Sequence, residues 1–498
     1  MNNFGMRQYD MKALCKYLLM ALVTIVLWKA TAGFGAILTS ILVIYAISRD
    51  KPIEMMFWVL FITLSAGGNR QIFMTNVISV LTVRATLVLL TVMLATRLLG
   101  GGREARLMTP FWGILFYIAW ECVSSVQGFS PIVSYLKLFL FFSVFLSMFG
   151  VANTVNRSSR TNAVVLRSAV LALIVIIIIG SVLIIPVPSL SLMTDKAAIE
   201  AMMSGEVTSL FQGMTSHSQV MGPMAAIMAT FIFADLAFSI KKWDKLYLLL
   251  LLCCPILIYK SSSRTGMGTM IAGIGMVMLL VMKAKGIGSH WKGKLMMAIN
   301  TLVIVGVIAV VALPSVRGKV SKFVLKWDMS GDSPITTEDV LSSRQGKIDI
   351  ALYNYRKKPL LGNGFQVSDE MQFERRSGIV DYLSAPIEKG IWLYAILEEG
   401  GAVGMILFCG WLIVLFTLLI KRHAYIGASV FFAFLTANLG EFSLFSMTYV
   451  GGFYWTFTFA AVCLDVQRMK AANMPVFFVP IEQVMEEVGY DEWVRKQG

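Results

Sequence analysis

The chain has 498 residues, 57% of them hydrophobic and only 14% charged, with a mean hydropathy of +0.73. That composition excludes an ordinary soluble globule and a disordered chain, and it fits an all-α polytopic integral membrane protein. The net charge of +14 reads as the Lys/Arg bias of cytoplasmic loops, not as a nucleic-acid-binding surface.

Apolar spans are read at 12–28, 30–47, 53–66, 77–99, 111–127, 131–150, 163–187, 218–240, 245–260, 265–283, 295–313, 390–420, 424–440 and 446–466. Near-continuous apolar runs such as 163–187 and 295–313 favour helices over barrel strands, which alternate over roughly ten residues. The pattern gives about twelve to fourteen transmembrane helices, because 53–66 and 245–260 fall short of the roughly 20 residues a span needs. Ala30-Thr31-Ala32 has the look of a signal cleavage site. Lys29 stands beside it and apolar sequence resumes at once, so the first helix is expected to be uncleaved.

Alternate connections are basic: Arg7/Lys12/Lys16, Arg49/Lys51, Arg97/Arg103/Arg106, Arg157/Arg160/Arg167, Lys241/Lys242/Lys245, Lys283/Lys285/Lys292/Lys294 and Lys421/Arg422. Between them lie nearly uncharged turns, which places both termini in the cytoplasm. The chain then divides into N-terminal transmembrane helices (1–313), one large outer loop (314–389), C-terminal transmembrane helices (390–466) and a cytoplasmic tail (467–498). A second, smaller outer loop covers Pro188–Ser216. In the tail, Ile481, Val484, Met485 and Val488 recur at helical spacing, as in a short amphipathic helix. The basic loop 314–389 departs from the charge rule for outer loops, which points to an anionic, membrane-borne substrate.

No GxxxxGK[ST] phosphate loop, paired-aspartate DxD, HExxH or GxSxG occurs, so no cofactor and no metal are expected. The six cysteines have no CxxC or ligand spacing and read as small buried residues. Four outer elements carry the remaining chemistry. Gln212–Gly222, holding His217, begins the span at 218–240; it either lines a polar cavity or is an ordinary loop-to-helix junction. Lys260–Gly266 places two cations on an outer turn. There Arg264, with hydroxyls and helix N-terminal amides, suits a phosphate, unless it is only a headgroup anchor. Ser342–Tyr355 reads as a helix capped by Ser342 or Ser343 and ended by Pro359, with Arg344 in its first turn, unless this is a basic helix lying on lipid headgroups. Pro386–Gly404 opens a long helix expected to bend at Gly400-Gly401. Glu388 is a candidate base and Lys389 a phosphate partner, unless the two form a plain surface ion pair. Gly268 and Ala272 are expected to be helix-packing positions.

In this order and on this topology, the four elements resemble the O-antigen ligase/polymerase superfamily of bacterial envelope glycosyltransferases. The likeness covers roughly residues 212–408 and rests on Gly213–Gly222, Ser263-Arg264-Thr265-Gly266, Ser342–Arg344 with Pro359–Phe365, and Leu397–Gly404. The resemblance implies transfer of a sugar chain from undecaprenyl pyrophosphate without a metal, with Arg264 and Arg344 on the pyrophosphate. Ligases of this kind carry a His eleven residues before the first Gly of Gly-x-x-Gly. Here that place is Gly390-Ile391.

The expected function is therefore an inner-membrane glycosyltransferase in polysaccharide biosynthesis, working at the periplasmic face. It polymerises or ligates lipid-linked saccharide units, with a polymerase favoured over an O-antigen ligase acting on lipid A core. Catalysis is expected from Glu388, and substrate binding from Arg264, Arg344, Lys389 and His217. The expected partners are the lipid-linked oligosaccharide, membrane lipids, and a chain-length regulator or other assembly proteins. A rival from another class is a lipid-linked saccharide flippase, for which Arg84, Glu121, Lys137 and Asp235 inside apolar spans would suit a polar path.

Overall fold

The computed structural model describes residues 9–31, 34–49, 51–69, 71–73, isolated positions between 82 and 93, 111, 113–158, 162–193, 211–238, 244–283, 337–367, 391–440, 443–447 and 450–471. Within these, the side chains at 337–344 and at Phe34, Arg157 and Ala471 are not described. The span at 295–313, most of 77–99 with Arg84, the loop residues Glu388 and Lys389, and the tail helix from Ile481 lie outside the described residues.

Among the described residues every regular element is a helix: α1 (Met11–Ala30), α2 (Phe34–Ser48), α3 (Pro52–Ala66), α4 (Ile114–Val126), α5 (Pro131–Arg157), α6 (Ala163–Leu183), the single turn α7 (Pro188–Ser191), α8 (Ser218–Phe238), α9 (Lys245–Lys260), α10 (Arg264–Lys283), α11 (Thr337–Lys357), α12 (Trp392–Lys421), α13 (Tyr425–Ala437) and α14 (Val450–Ala471). Two isolated bridges, Gly68 with Thr215 and Leu192 with Phe211, join loops. Of these helices, α1, α5, α6, α8, α10 and α12 are long and apolar enough to cross a membrane. This is a membrane protein by the length and composition of its helices.

The short helices were only partly foreseen. Besides α3 and α9, α4 and α13 are also short, at 13 residues each, or about 20 Å. The reason for α3 is visible in its surroundings. Met55, Phe57, Trp58, Phe61 and Leu64 are all buried because α2, α5, α6 and α14 pack around it. A helix enclosed by protein on all sides need not match the thickness of lipid.

Helix ends gather into two groups. At one end, Asn69 Nδ2 donates to the carbonyls of Leu190 and Gly213, Ser216 N donates to Gly67 O, and Trp392 N to Asn438 O. At the opposite end, Asp10 N donates to Ser168 Oγ, and Arg468 donates to the carbonyls of Phe238 and His423. Three helices start at that opposite end with an Asx cap, since Asp10, Asn162 and Asp244 accept from backbone amides of their own first turns. A carboxylate or amide oxygen there satisfies a donor that the helix itself leaves unbonded.

The core centres on α14, which packs against α3, α5, α6 and α13. Trp455 is fully buried and meets Phe145 edge-on at 5.7 Å, while its indole N–H reaches Leu444 O at 2.8 Å. Between lipid-embedded helices burial against lipid gives no driving force, so tight aromatic packing and close approach of small residues hold the bundle together. Gly266 and Gly273 on α10 are such contacts: a Cβ on either would collide with the Gly222 backbone and with Thr230, respectively. Gly268, expected to pack, instead faces open space.

Candidate functional site

The first end of the bundle brings three of the sequence elements together. Asn69, just after α3, holds the Gly213 loop, and Ser181 Oγ accepts from Met214 N at 2.9 Å. Gly213 has φ +55 and lies against Ser181, so a residue without Cβ suits both its backbone and its surroundings. His217 then starts α8, its Nδ1 accepting from Gln219 N at 3.1 Å. In this structure the ring caps the helix at the loop-to-helix junction.

Arg264 is the first residue of α10, on the turn next to α8. Gly222 meets the side chain of Ser263, and Gly266 lies on the Gly222 backbone, which brings the start of α10 against the first turns of α8. Ser263 caps α10, its Oγ accepting from Gly266 N at 3.0 Å. This corrects the expectation that a phosphate could use that amide: the helix has already spent it on its own cap. The next residue, Thr265, packs on Gly440. Gly440 closes the turn that begins at Asn438, whose carbonyl fixes the first amide of α12 at Trp392. His217, Arg264 and the start of α12 therefore stand around one patch at the first end. Glu388 and Lys389 lie outside the described residues, a few positions before Trp392.

Two sequence elements prove to be one structural unit. Gly401 has φ 65 and ψ −165 and breaks α12, as the paired glycines predicted. The break frees carbonyls and amides that the loop Pro359–Gln366 then satisfies. Asn363 N donates to Glu398 O at 2.9 Å, Gly364 N to Glu399 O at 3.0 Å, and Ala402 N to Pro359 O at 2.8 Å. Asn363 Nδ2 spans Asn354 O and Glu398 O at 2.9 and 3.2 Å, and Asn354 Nδ2 binds Glu398 Oε1 at 2.8 Å. From α4, Trp120 Nε1 donates to Gly400 O and Ser124 Oγ to Glu399 O, both at 2.6 Å. Buried backbone groups are rarely left unpaired, and at the break this loop meets that requirement with its own amides and with Asn363. Asn354 and Asn363 went unremarked in the sequence. The available signal was an Asn inside Gly-x-Gly, with a second Asn on the buried register of α11.

The extent of α11 also corrects one expected boundary. α11 already runs from Thr337, more than a turn before Ser342 and Ser343, so the helix does not start at either serine. Arg344 consequently lies about two turns inside the helix, away from N-terminal amides.

The residues proposed for a translocation path have other partners. Asp235 on α8 accepts from Arg167 Nε and Nη2 at 2.8 and 3.1 Å and from Tyr247 Oη at 2.6 Å, tying α8 to α6 and α9. Lys137 Nζ donates to Gln366 O at 2.8 Å and so anchors the loop. Glu121 is fully buried against Gly400, and Tyr117 lies within electrostatic reach of both Glu121 and Glu399. Among the described residues no group of three His, Cys, Asp or Glu side chains is placed to hold a metal. No family model matches this chain, and no curated protein matches it.

Proposed function

We propose that this chain is a bacterial inner-membrane glycosyltransferase that polymerises or ligates undecaprenyl-pyrophosphate-linked saccharides at the periplasmic face, with both termini cytoplasmic. The observation that supports the reading is the convergence at the first end: Arg264 beside the start of α8 and, through Thr265, Gly440 and Asn438, beside the start of α12. A guanidinium there is suited to the pyrophosphate whose charge grows as the glycosyl bond breaks. Arg344 is the second such cation, and Lys389 and His217 flank the substrate. Glu388, four residues before Trp392, takes the proton of the acceptor hydroxyl. Polymerase chemistry is favoured over ligation because Gly390-Ile391 stand where ligases carry His. Of the residues that suited a flippase path, Asp235 and Lys137 are engaged in anchoring helices and loop.

The test is purified protein in detergent with an undecaprenyl-pyrophosphate oligosaccharide, without added metal or nucleotide. A ladder of longer lipid-linked products from the wild type, lost in Arg264→Ala, Arg344→Ala and Glu388→Gln at equal protein levels, is the expected result. Normal ladders from both arginine variants would overturn the assignment.

A further inference from the structure

We infer that the C-terminal turns of α11 form a membrane-surface site for anionic phospholipid headgroups. This inference does not depend on the glycosyltransferase reading. It starts from the height of the helix. Beyond the break at Gly401, α12 runs uncharged from Ala402 to Ile420, about 30 Å of helix, which matches the hydrocarbon core of a bilayer. Gly401 therefore marks the hydrocarbon boundary at the first end. The end of α11 is pinned at that level by Ala402 N on Pro359 O, and Lys358 Nζ hydrogen-bonds Gln127 O just past α4.

Charge and exposure then identify the occupant. Arg356, Lys357 and Lys358 are consecutive, and Arg356 and Lys357 are exposed. Lys357 Nζ lies 4.3 Å from the ring centroid of Tyr353, and Tyr353 is itself 60% exposed. Ile350, Tyr353 and Lys357 share the face opposite Ile348, Ala351 and Asn354, which are buried. Leu360, 64% exposed, continues the apolar surface past the helix end. On the neighbouring segment that Lys358 reaches at Gln127, Val126 on α4 and Ile132 on α5 are 61% and 74% exposed, as befits side chains bathed in acyl tails. Apolar and aromatic groups beside a run of cations, at the level where hydrocarbon ends, match a lipid with a negative headgroup: the tails meet Leu360, Val126 and Ile132, and the phosphate meets Arg356 and Lys357. The acid nearest on this helix, Asp349, sits a turn above Tyr353 and is bound by Gln345 Nε2 at 3.0 Å. Glu398 is held by Asn354 on the opposite face.

The test uses the full chain in nanodiscs of phosphatidylcholine mixed with phosphatidylglycerol, followed by native mass spectrometry of the lipids retained on extraction. Wild type should retain phosphatidylglycerol selectively. Arg356→Gln/Lys357→Gln should weaken that retention by roughly tenfold or more, at about 1 kcal/mol for each surface cation. The charge-keeping pair Arg356→Lys/Lys357→Arg should restore it, and all three proteins should elute as single species. Equal retention by wild type and the glutamine pair would overturn the proposal. So would displacement of phosphatidylglycerol by a polyprenyl diphosphate at far lower concentration, which would assign the surface to a lipid-linked donor.

Discussion

Two regions of this bundle solve the same problem in opposite ways. At the junction of α6, α8 and α9, buried polar groups are charges, neutralised by one another: the Arg167–Asp235 pair with Tyr247. At the break in α12, beside the buried carboxylates Glu121, Glu398 and Glu399, the freed backbone carbonyls are answered by the amides of Pro359–Gln366 and by Asn363. The first arrangement depends on side-chain identity and can be exchanged for apolar packing. The second depends on the path of the main chain, so it is sensitive to any added Cβ.

The largest expected effect breaks the charge pair. Asp235→Leu strands the Arg167 guanidinium in the bundle and should cost about 3–5 kcal/mol. Thermal melting in detergent would show this, and Arg167→Met added to Asp235→Leu should recover most of the loss. Next comes Gly401→Val, which forces a β-branched residue to φ 65 against the Leu360 carbonyl and should cost on the order of 3 kcal/mol. Unlike the ion pair, it should have no single compensating partner. If a second substitution does rescue it, the contrast between the two regions fails.

Asn363→Ala removes one amide that serves two carbonyls and should cost roughly 1–3 kcal/mol, read from the same melts. Ser263→Ala removes the α10 cap for about 1 kcal/mol, whereas Gly268→Ala, at an open position, should be near neutral. The smallest effect is one of pH. Partial burial and then the Arg468 guanidinium hold the His423 imidazole below its ordinary value of 6.5. Between that value and the lowered one the unfolded chain takes up more protons, so stability falls as the pH falls through this window. His423→Gln should flatten that slope in melts recorded across mildly acidic pH.

The sequence by itself determined that the chain is helical and membrane-embedded, because apolar runs long enough to span a bilayer are a one-dimensional signal. It also placed the bend in α12, since two adjacent glycines remove the steric preference for continued helix. It did not show that Pro359–Phe365 and Leu397–Gly404 are two halves of one clasp, because hydrogen bonds between segments some forty positions apart leave no local pattern. Nor did it show that α3 and α14 are enclosed by protein, which depends on which neighbours surround a helix. For His217 the sequence left a cavity residue and a loop-to-helix junction both open, and in the structure its ring accepts the Gln219 amide at the start of α8. The hydroxyls and helix N-terminal amides beside Arg264 suit a phosphate in the sequence, but in the fold the Ser263 hydroxyl already accepts from the Gly266 amide. Tertiary structure decided these points because a polar group's role is set by the partner that reaches it first, and that partner comes from the folded neighbourhood.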